Sequence, residues 1–432
     1  AATTAALLAV LAGGLGWIRL VGDMTVDPAA PNAPAAAGDL VELIKGNSYD
    51  NQWLTEWPYF SIPSVLSTGL LAHRATTAGL PILVGAMLLL VAGLPTAAAR
   101  RRGWRDRPLL IGLAGVLGAL LAPFHFFYFP AFWLLALLYV VGGGRLTDAR
   151  TPRNALAMLA PLVLAAPFAL TPVLQASGSG ALKAVLGWES APLADGPAAV
   201  AFFYVTNLGV PFLLAVAALL VPRTPWRLFL GAWVAALFAI PNLLQFSVIA
   251  FDMNKYFQAM WIAVALLAAW LIRRWPWPAV GLVLLLSVPS PLLVAGWTAW
   301  NREQLMDWNG AAAAEWIADN TPGDAVFATD GWLNSPTDAA GRLRLLTYTP
   351  YVANLGYDPD ERARQVHDMY CAGDVGLTVR LMRQLGADYL LDAGRPADCT
   401  TPTSFGEGGD LVQVYANPGV RIYRLQGSAA EP

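Results

Sequence analysis

Residues 228–272 read LFLGAWVAALFAIPNLLQFSVIA, then FDMNKYF, then QAMWIAVALLAAWLI, so two long apolar runs flank a short polar turn. An α-helix needs about 20 predominantly apolar residues to cross the hydrocarbon core of a bilayer. The only charged side chains in the stretch are Asp252 and Lys255, and both lie in the turn. The pattern predicts two membrane-spanning helices joined at one membrane face.

The remainder of the chain has the same character. It has 432 residues, of which 56% are hydrophobic and 13% charged, whereas about a quarter are charged in ordinary soluble domains. We therefore predict a mainly α, polytopic transmembrane bundle of about nine spanning helices. The predicted helices lie at about 3–21, 77–98, 108–122, 124–142, 154–174, 198–221, 227–249, 254–272 and 276–298. The net charge of −2 provides no basic field for a nucleic-acid partner.

Arginine is concentrated in every second loop. The Arg-rich loops are 100–107, 145–153, 223–227 and 273–274. Because cytoplasmic loops carry an excess of Lys and Arg, these loops are predicted to be cytoplasmic. The loop 22–76, the FDMNK turn and everything after Trp300 are then predicted to face outward. Within the first of these, residues 58–72 are too short to span comfortably and are predicted to form an interfacial or re-entrant segment.

The composition changes near residue 300, which predicts a transmembrane bundle over 1–300 and a separate domain over 301–432. Short apolar runs in this second part predict strands, two amphipathic runs between them predict helices, and Asn-Pro-Gly inside 411–425 predicts a hairpin. Strands interleaved with helices indicate a small extracytoplasmic α/β domain. The predicted strands are 325–330, 343–349 and 388–393, and the predicted helices are 301–320, 360–371 and 375–387.

The chain has two cysteines, Cys371 and Cys399, and both lie in this outward domain. In an oxidising compartment such a pair is a disulfide candidate, and closing the loop between them would contribute about 3 kcal/mol. The alternative is two thiols too far apart to bond.

Polar residues on the predicted outer face are the candidates for chemistry. Lys255 with Asp252 is either a capped turn with a snorkelling lysine or a contact for a lipid phosphate, since an ammonium group binds phosphate as a point charge. His125 is either a proton carrier or phosphate ligand, or a packed, hydrogen-bonded histidine. His73 and Arg74 form either an interfacial anchor or part of the same site.

Asp23 and Asp27 follow the first predicted helix directly. Carboxylates there can hold a divalent cation such as Mg²⁺ or Mn²⁺, or act as a general base, but a pair of aspartates in a polar loop is also commonly just solvated. The sequence contains no phosphate loop, dinucleotide fingerprint or metal-ligand motif. A transporter is a third possibility. The apolar segments contain few charges, and we expect few helix pairs broken by Gly or Pro, which argues against the coupling-ion sites of a transporter.

Several segments resemble bacterial membrane glycosyltransferases of the GT-C type. The local matches are SVLSTGLLAHRATTAGLPI at 64–82, LLAPFHFFYFPAFWLLAL at 120–137, FDMNKYFQAMW at 251–261, and 311–370, which contains Trp316, Asp330, Gly341, Arg342, Gly356, Tyr357, Arg362 and Tyr370. The order of elements is similar to the C-terminal two-thirds of those enzymes. The apolar start AATTAALLAV, which lacks Met, is either a processed end or the start of a fragment that lacks the N-terminal part of such an enzyme.

The resemblance implies transfer of a sugar from a polyprenyl-phosphate donor at the outer face of the bacterial inner membrane. An acidic residue of the first outer loop would act as base or metal ligand, and here that loop supplies Asp23 and Asp27. Their spacing differs from the close acidic pair usual in that loop. The alternative is a non-catalytic accessory or structural subunit with the same fold, bound to protein partners in a larger complex.

Overall fold

The computed structural model divides the chain into two compact units. One comprises Ala1–Thr171 and Ala181–Arg302, and the other Pro172–Gly180 and Glu303–Pro432. The structure describes residues 1–30, 36–46, 49, 66, 74–142, 146–175, 183–188, 195–221, 224–300, 306–330, 334–354, 357–393, 398–406 and 409–427, with the backbone alone for 74, 75, 146, 147 and 171–175. The interfacial segment predicted at 58–72 lies outside these residues except for Leu66.

The first unit is helical apart from two short strands. Its helices are α1 (Ala2–Leu11), α2 (Trp17–Thr25), α3 (Leu40–Gly46), α4 (Arg74–Gly93), α5 (Ala97–Arg101), α6 (Pro108–Phe124), α7 (Tyr128–Gly142), α8 (Leu146–Ala149), α9 (Pro152–Leu159), α10 (Leu162–Gln175), α11 (Pro197–Leu220), α12 (Pro225–Leu243), α13 (Asn254–Ile272), α14 (Trp277–Ser287) and α15 (Pro289–Trp300). Strands β1 (Lys183–Ala184) and β2 (Leu244–Gln245) pair antiparallel.

Four segments of the described chain are long and apolar enough to cross a membrane, namely Thr76–Arg101, Pro197–Leu220, Pro225–Leu243 and Ala250–Ile272. Two helix pairs, α9 with α10 and α14 with α15, would raise the count to six if each pair were a single span bent by 42°. The remaining apolar helices α1, α6 and α7 have 10, 17 and 15 residues, so they are shorter than a typical span. An apolar helix thus lies in each predicted segment, but a count of nine spans is not established.

The interruptions have local chemical causes. Pro161 separates α9 from α10, and Pro289 follows the break between α14 and α15; proline lacks the N–H that a helix interior requires. The helix predicted at 3–21 is instead two helices, because glycines occupy three of the residues between α1 and α2. Glycine is unfavourable in helix interiors. Our expectation that broken helices are scarce is therefore wrong.

The α1–α2 and α14–α15 breaks meet inside the first unit, next to a kink in α11 at Gly209 (φ 61°, ψ −161°). The Gly13 N–H donates to the Ser287 carbonyl (2.8 Å), and the Leu15 N–H donates to the Thr206 carbonyl (2.9 Å). The Ser290 hydroxyl donates to the Gly14 carbonyl (3.0 Å). Backbone groups left open by a helix break in an apolar interior have to find hydrogen-bond partners within the protein. Here each break supplies the hydrogen-bond partners that another lacks.

Helix α13 is the centre of the first unit and is buried along most of its length. It packs against α1, α11 and α12. Two indoles hold it in place: Trp261 Nε1 donates to the Leu8 carbonyl (3.2 Å), and Trp233 Nε1 donates to the Ala259 carbonyl (3.1 Å). The prediction of a helix at 254–272 matches α13. The preceding helix was predicted at 227–249, but α12 ends at Leu243 and the chain continues as strand β2.

The second unit contains a mixed five-stranded sheet of order β4-β3-β5-β7-β6. Strand β3 is parallel to β4 and β5, and β7 is antiparallel to β5 and β6. The elements are α16 (Trp308–Asn320), β3 (Val326–Ala328), α17 (Pro336–Ala339), β4 (Leu343–Arg344), α18 (Thr349–Asn354), α19 (Asp360–Cys371), α20 (Val375–Leu385), β5 (Tyr389–Asp392), β6 (Leu411–Ala416) and β7 (Arg421–Leu425). The predicted order of strands and helices agrees with this, although β4 is much shorter than the predicted 343–349.

Two side-chain features hold this unit together. Cys371 and Cys399 form a disulfide with Cα atoms 4.9 Å apart, which ties the end of α19 to the segment after β5. The Tyr370 hydroxyl lies within hydrogen-bond distance of the Ala328 carbonyl (3.1 Å) and the Leu391 carbonyl (2.7 Å). Since these carbonyls belong to neighbouring parallel strands, Tyr370 joins α19 to the carboxyl ends of β3 and β5.

Candidate functional site: the polar turn before helix α13

The FDMNK stretch forms a 3-10 turn over Ala250–Met253 that leads directly into α13. Lys255 Nζ lies 2.5 Å from Asp252 Oδ1, and the two side chains are only 10% and 18% exposed. The Ser247 hydroxyl donates to the other carboxylate oxygen, Asp252 Oδ2, at 3.1 Å. The structure thus brings together the two charges of the turn in a largely buried ion pair.

Aromatic rings border this ion pair. Lys255 Nζ lies 5.2 Å from the centre of the Phe127 ring, a distance at which a cation is attracted by the face of an aromatic ring. Phe127 in turn contacts the rings of Phe246 and Tyr256. The ammonium group is therefore positioned by an aromatic wall as well as by Asp252.

Two neighbouring polar side chains have no hydrogen-bond partner among the residues that the structure describes. Asn254 is 1% exposed, and within the described part of the chain neither its side-chain nitrogen nor its oxygen has a hydrogen-bond partner. The buried hydroxyl of Tyr256 has none there either. Most buried polar groups in proteins are hydrogen-bonded, so such exceptions call for an explanation such as a functional role or ordered water.

His125 belongs to a buried polar network around Gln258, which lies on α13 about one helical turn after Lys255. Its Nε2 lies 3.3 Å from the Thr76 hydroxyl, and its ring stacks on Tyr128 with centroids 3.7 Å apart. The Tyr128 hydroxyl donates to Gln258 Oε1 (2.9 Å), and Thr76 reaches the same oxygen at 3.4 Å. We expected His125 to begin a helix, within the segment predicted at 124–142. Instead it follows the last residue of α6, and its N–H donates to the Leu121 carbonyl.

Of the predicted site residues His73 and Arg74, the structure describes only the backbone of Arg74. Arg74 begins α4, two residues before Thr76, and only its backbone is described. His73 lies outside the described residues. The start of α4 nevertheless contacts His125 closely, because a Cβ added at Gly79 would lie 2.5 Å from His125 Cβ.

Asp23 and Asp27 lie apart from this turn, and the described residues show no hydrogen bond or ion pair between them and it. Asp23 Oδ2 accepts a hydrogen bond from the Tyr49 hydroxyl (2.9 Å) and lies 3.4 Å from Arg19 Nε. Burial and the hydrogen bond to Asp23 raise the pKa of the Tyr49 hydroxyl. Asp27 is exposed, and its Oδ1 accepts the Ala29 N–H at 2.9 Å.

Within the described residues, Asp23 and Asp27 do not form a site for a divalent cation. Asp23 is engaged by a guanidinium group and a hydroxyl, and the described residues contain no group of three or more His, Cys, Asp or Glu side chains that could hold a metal ion. We therefore assign no step to a bound cation.

A pocket of about 310 Å³ adjoins the turn. Ala250 and Met253 line it together with Gly187, Trp188 and Gln245. The Trp188 indole donates to the Ala250 carbonyl at 3.3 Å, which links the turn to the segment after β1. The pocket supplies space beside the polar turn that could take part of a ligand.

Several residues of this cluster were not identified from the sequence, namely Thr76, Phe127, Tyr128, Ser247 and Gln258. Gln258 follows Lys255 by three residues, and positions three apart lie on one face of a helix. That spacing was a usable signal. The contributions of α4 and α7 depend on how the helices pack.

Hydrogen bonds and an ion pair join helix ends that are predicted to lie on the same side of the membrane. Thr76, His125 and Gln258 all belong to ends predicted to share the outer side, and they lie together. At the opposite ends, the Tyr139 hydroxyl donates to the Leu94 carbonyl, and Arg100 pairs with Asp148. This grouping is what alternating helix directions require, while the sidedness itself stays a prediction.

A scan against protein-family models and a search of curated proteins find no match to this chain.

Proposed function

We propose that the chain is an integral membrane glycosyltransferase-like protein of the inner membrane that binds the phosphate of a polyprenyl-phosphate sugar at the Lys255 turn. The α/β domain predicted over 301–432 would then be extracytoplasmic. The observation that carries the proposal is the largely buried Lys255–Asp252 pair beside Asn254 and Tyr256, whose buried polar atoms have no hydrogen-bond partner among the described residues. A turn that served only to connect two helices would not need buried polar groups without partners.

Lys255 has the donors that such a role requires. An ammonium group has three N–H donors, and within the described residues Asp252 is the one hydrogen-bond acceptor of Lys255. When the bond between the sugar and the phosphate breaks, negative charge grows on the departing polyprenyl phosphate. A cation held in place by Asp252 and Phe127 would stabilise that charge without reorganising. His125 and Arg74 are proposed as further contacts to the phosphate.

The same proposal needs a base for the acceptor hydroxyl. That hydroxyl's proton would pass to an aspartate as its oxygen forms the new bond to the sugar, with polyprenyl phosphate as the leaving group. Of the two candidates, Asp27 is the more suitable because it is exposed and carries no ion pair in the described structure. Asp23 is already held by Arg19 and Tyr49.

One observation favours the non-catalytic alternative. Asp23 is held by Arg19 and Tyr49, and the described residues contain no group of three or more His, Cys, Asp or Glu side chains that could act as a catalytic carboxylate cluster. An accessory subunit of this fold would retain the Lys255 turn as a lipid-binding or structural feature. Stable copurification with a larger complex and no transfer activity would support this alternative.

The test compares variants of the full chain reconstituted with a polyprenyl-phosphate sugar. Lys255→Met should abolish sugar release or transfer, and Lys255→Arg should retain part of it because the charge is kept. Lys183→Met is the matched control, since this lysine is exposed on β1. Thermal unfolding of each variant shows whether it is folded. Turnover by folded Lys255→Met equal to that of the parent chain would reject the proposed role.

A further inference from the structure

A second cationic cluster lies at the end of the first unit opposite the polar turn. The guanidinium carbons of Arg227 and Arg273 each lie 4.1 Å from the centre of the Trp270 ring. The two guanidinium groups are therefore separated by no more than about twice that distance. We call Arg227, Trp270 and Arg273 the arginine–tryptophan cluster.

The cluster concentrates positive charge, and the described residues supply no acidic partner for it. Neither arginine forms an ion pair with a carboxylate in the part of the chain that the structure describes, although Arg227 is only 6% exposed. By contrast, Arg100 in another Arg-rich loop pairs with Asp148 at 2.6 Å. A buried charge is usually neutralised by an opposite charge, and the described residues provide none for Arg227.

The position of Arg227 adds to this charge. It lies in the first turn of α12, where its own N–H donates to the Thr224 hydroxyl that caps the helix. The helix macrodipole places partial positive charge at this end, which favours anions and disfavours cations. The remaining contacts of the Arg227 side chain are neutral: Nη1 donates to the Ala218 carbonyl (3.3 Å) and Nε to Thr224 Oγ1 (3.5 Å).

The surroundings indicate the depth at which a ligand would sit. Trp226, Trp275 and Trp277 are 42%, 43% and 84% exposed at this end of the unit. Exposed tryptophans at the ends of apolar helices are typical of the headgroup region of a bilayer. A guanidinium group matches phosphate oxygens with paired N–H donors.

We propose that the arginine–tryptophan cluster is a binding site for a phosphate group, supplied by the headgroup of an anionic membrane lipid. This site is independent of the Lys255 turn and of the proposed glycosyltransferase function. It requires only that the two guanidinium groups be free of carboxylates and that the headgroup region lie at the ends of α12 and α13. Basic pockets between spanning helices bind anionic lipid headgroups in this way.

The test is native mass spectrometry of the full chain in detergent, titrated with dioleoylphosphatidylglycerol and, for comparison, zwitterionic dioleoylphosphatidylcholine. Arg227→Gln and Arg273→Gln should each weaken binding of the anionic lipid about fivefold, the effect expected for one basic residue near a membrane surface. Arg101→Gln is the matched control, because Arg101 is an exposed arginine of another predicted cytoplasmic loop. It should bind the anionic lipid like the parent chain.

A second arm separates a lipid headgroup from phosphate in solution. Thermal unfolding is measured in sodium phosphate and in sodium chloride at equal ionic strength. Stabilisation by phosphate that is lost in Arg273→Gln, with lipid binding unchanged, supports a phosphate site that is filled from solution. If Arg273→Gln matches the parent chain in both arms, or if Arg101→Gln loses as much lipid binding, the proposal is overturned. Arg273 is exposed, so this variant is informative even where Arg227→Gln fails to fold.

Discussion

Gly209 and Gly13 approach so closely that a Cβ atom on residue 209 would lie 2.6 Å from the carbonyl oxygen of Gly13. Gly209 also has φ 61° and ψ −161° inside α11, a conformation that is essentially restricted to glycine. The contact joins the kink in α11 to the break between α1 and α2. The packing of three interrupted helices thus depends on the absence of a side chain at this position.

Gly209→Ala should therefore destabilise the protein strongly. The strained backbone alone costs about 1–3 kcal/mol, and the approach to the Gly13 carbonyl adds steric repulsion. Gly281→Ala in α14 is the control, since an added Cβ there meets nothing within 4 Å. Thermal unfolding followed by circular dichroism should show a lower Tm for Gly209→Ala and an unchanged or slightly higher Tm for Gly281→Ala. Equal midpoints for the two variants would contradict the account of this contact.

The Lys255–Asp252 pair should show energetic coupling in a double-mutant cycle. Both side chains are largely but not fully buried, so each of Lys255→Met and Asp252→Asn should cost about 2 kcal/mol, less than for a fully buried pair. The double variant should be more stable than the sum of the single effects predicts, because neither charge is then left alone. Unfolding free energies of the four proteins test this. Strict additivity would mean that the pair contributes no interaction energy.

Reduction of the Cys371–Cys399 disulfide should destabilise the second unit. The bridge closes a loop with a sequence separation of 28, and a loop of that size contributes about 3 kcal/mol by restricting the unfolded chain. Unfolding of the full chain with and without dithiothreitol should show the loss. A Cys371→Ser, Cys399→Ser variant should resemble the reduced protein and should not respond to dithiothreitol.

Tyr370→Phe should destabilise the second unit by about 1–2 kcal/mol at neutral pH, because the Ala328 and Leu391 carbonyls lose a buried donor. The exposed Tyr357 supplies the control Tyr357→Phe. Chemical denaturation monitored by tryptophan fluorescence gives the free energies. No difference between the two variants would show that the hydroxyl does not hold the strands.

The same tyrosine should make stability depend on alkaline pH. Burial, with the nearby charges of Asp330 and Asp392, raises the pKa of Tyr370 well above its ordinary value. Above about pH 10 the unfolded chain loses this proton while the folded chain keeps it, so stability falls by about 1.4 kcal/mol per pH unit until the folded pKa is reached. The parent chain should therefore lose stability above pH 10 more steeply than Tyr370→Phe. The variant should keep a residual slope, since burial also raises the pKa of Tyr389.

Hydropathy and charge pattern were sufficient to predict a mainly helical chain with apolar helices, the helix at 254–272, and the order of strands and helices after residue 300. These features depend on properties that each residue carries with it: transfer free energies add along a segment, and the alternation of apolar side chains follows the geometry of the backbone. The pairing of Asp252 with Lys255 is similarly local, since three residues separate them on a tight turn.

The tertiary structure alone decided what the breaks in the helical segments contact. Pro161 and Pro289 are visible in the sequence, but that Gly13, Gly209 and Ser287 meet is a consequence of packing between distant helices. The same holds for the His125 network, which joins Thr76, Tyr128 and Gln258. It holds too for the placement of two arginines against Trp270. Hydrogen bonds and ring contacts depend on distances between residues far apart in the chain, and hydropathy, which is summed over neighbouring residues, contains no information about those distances.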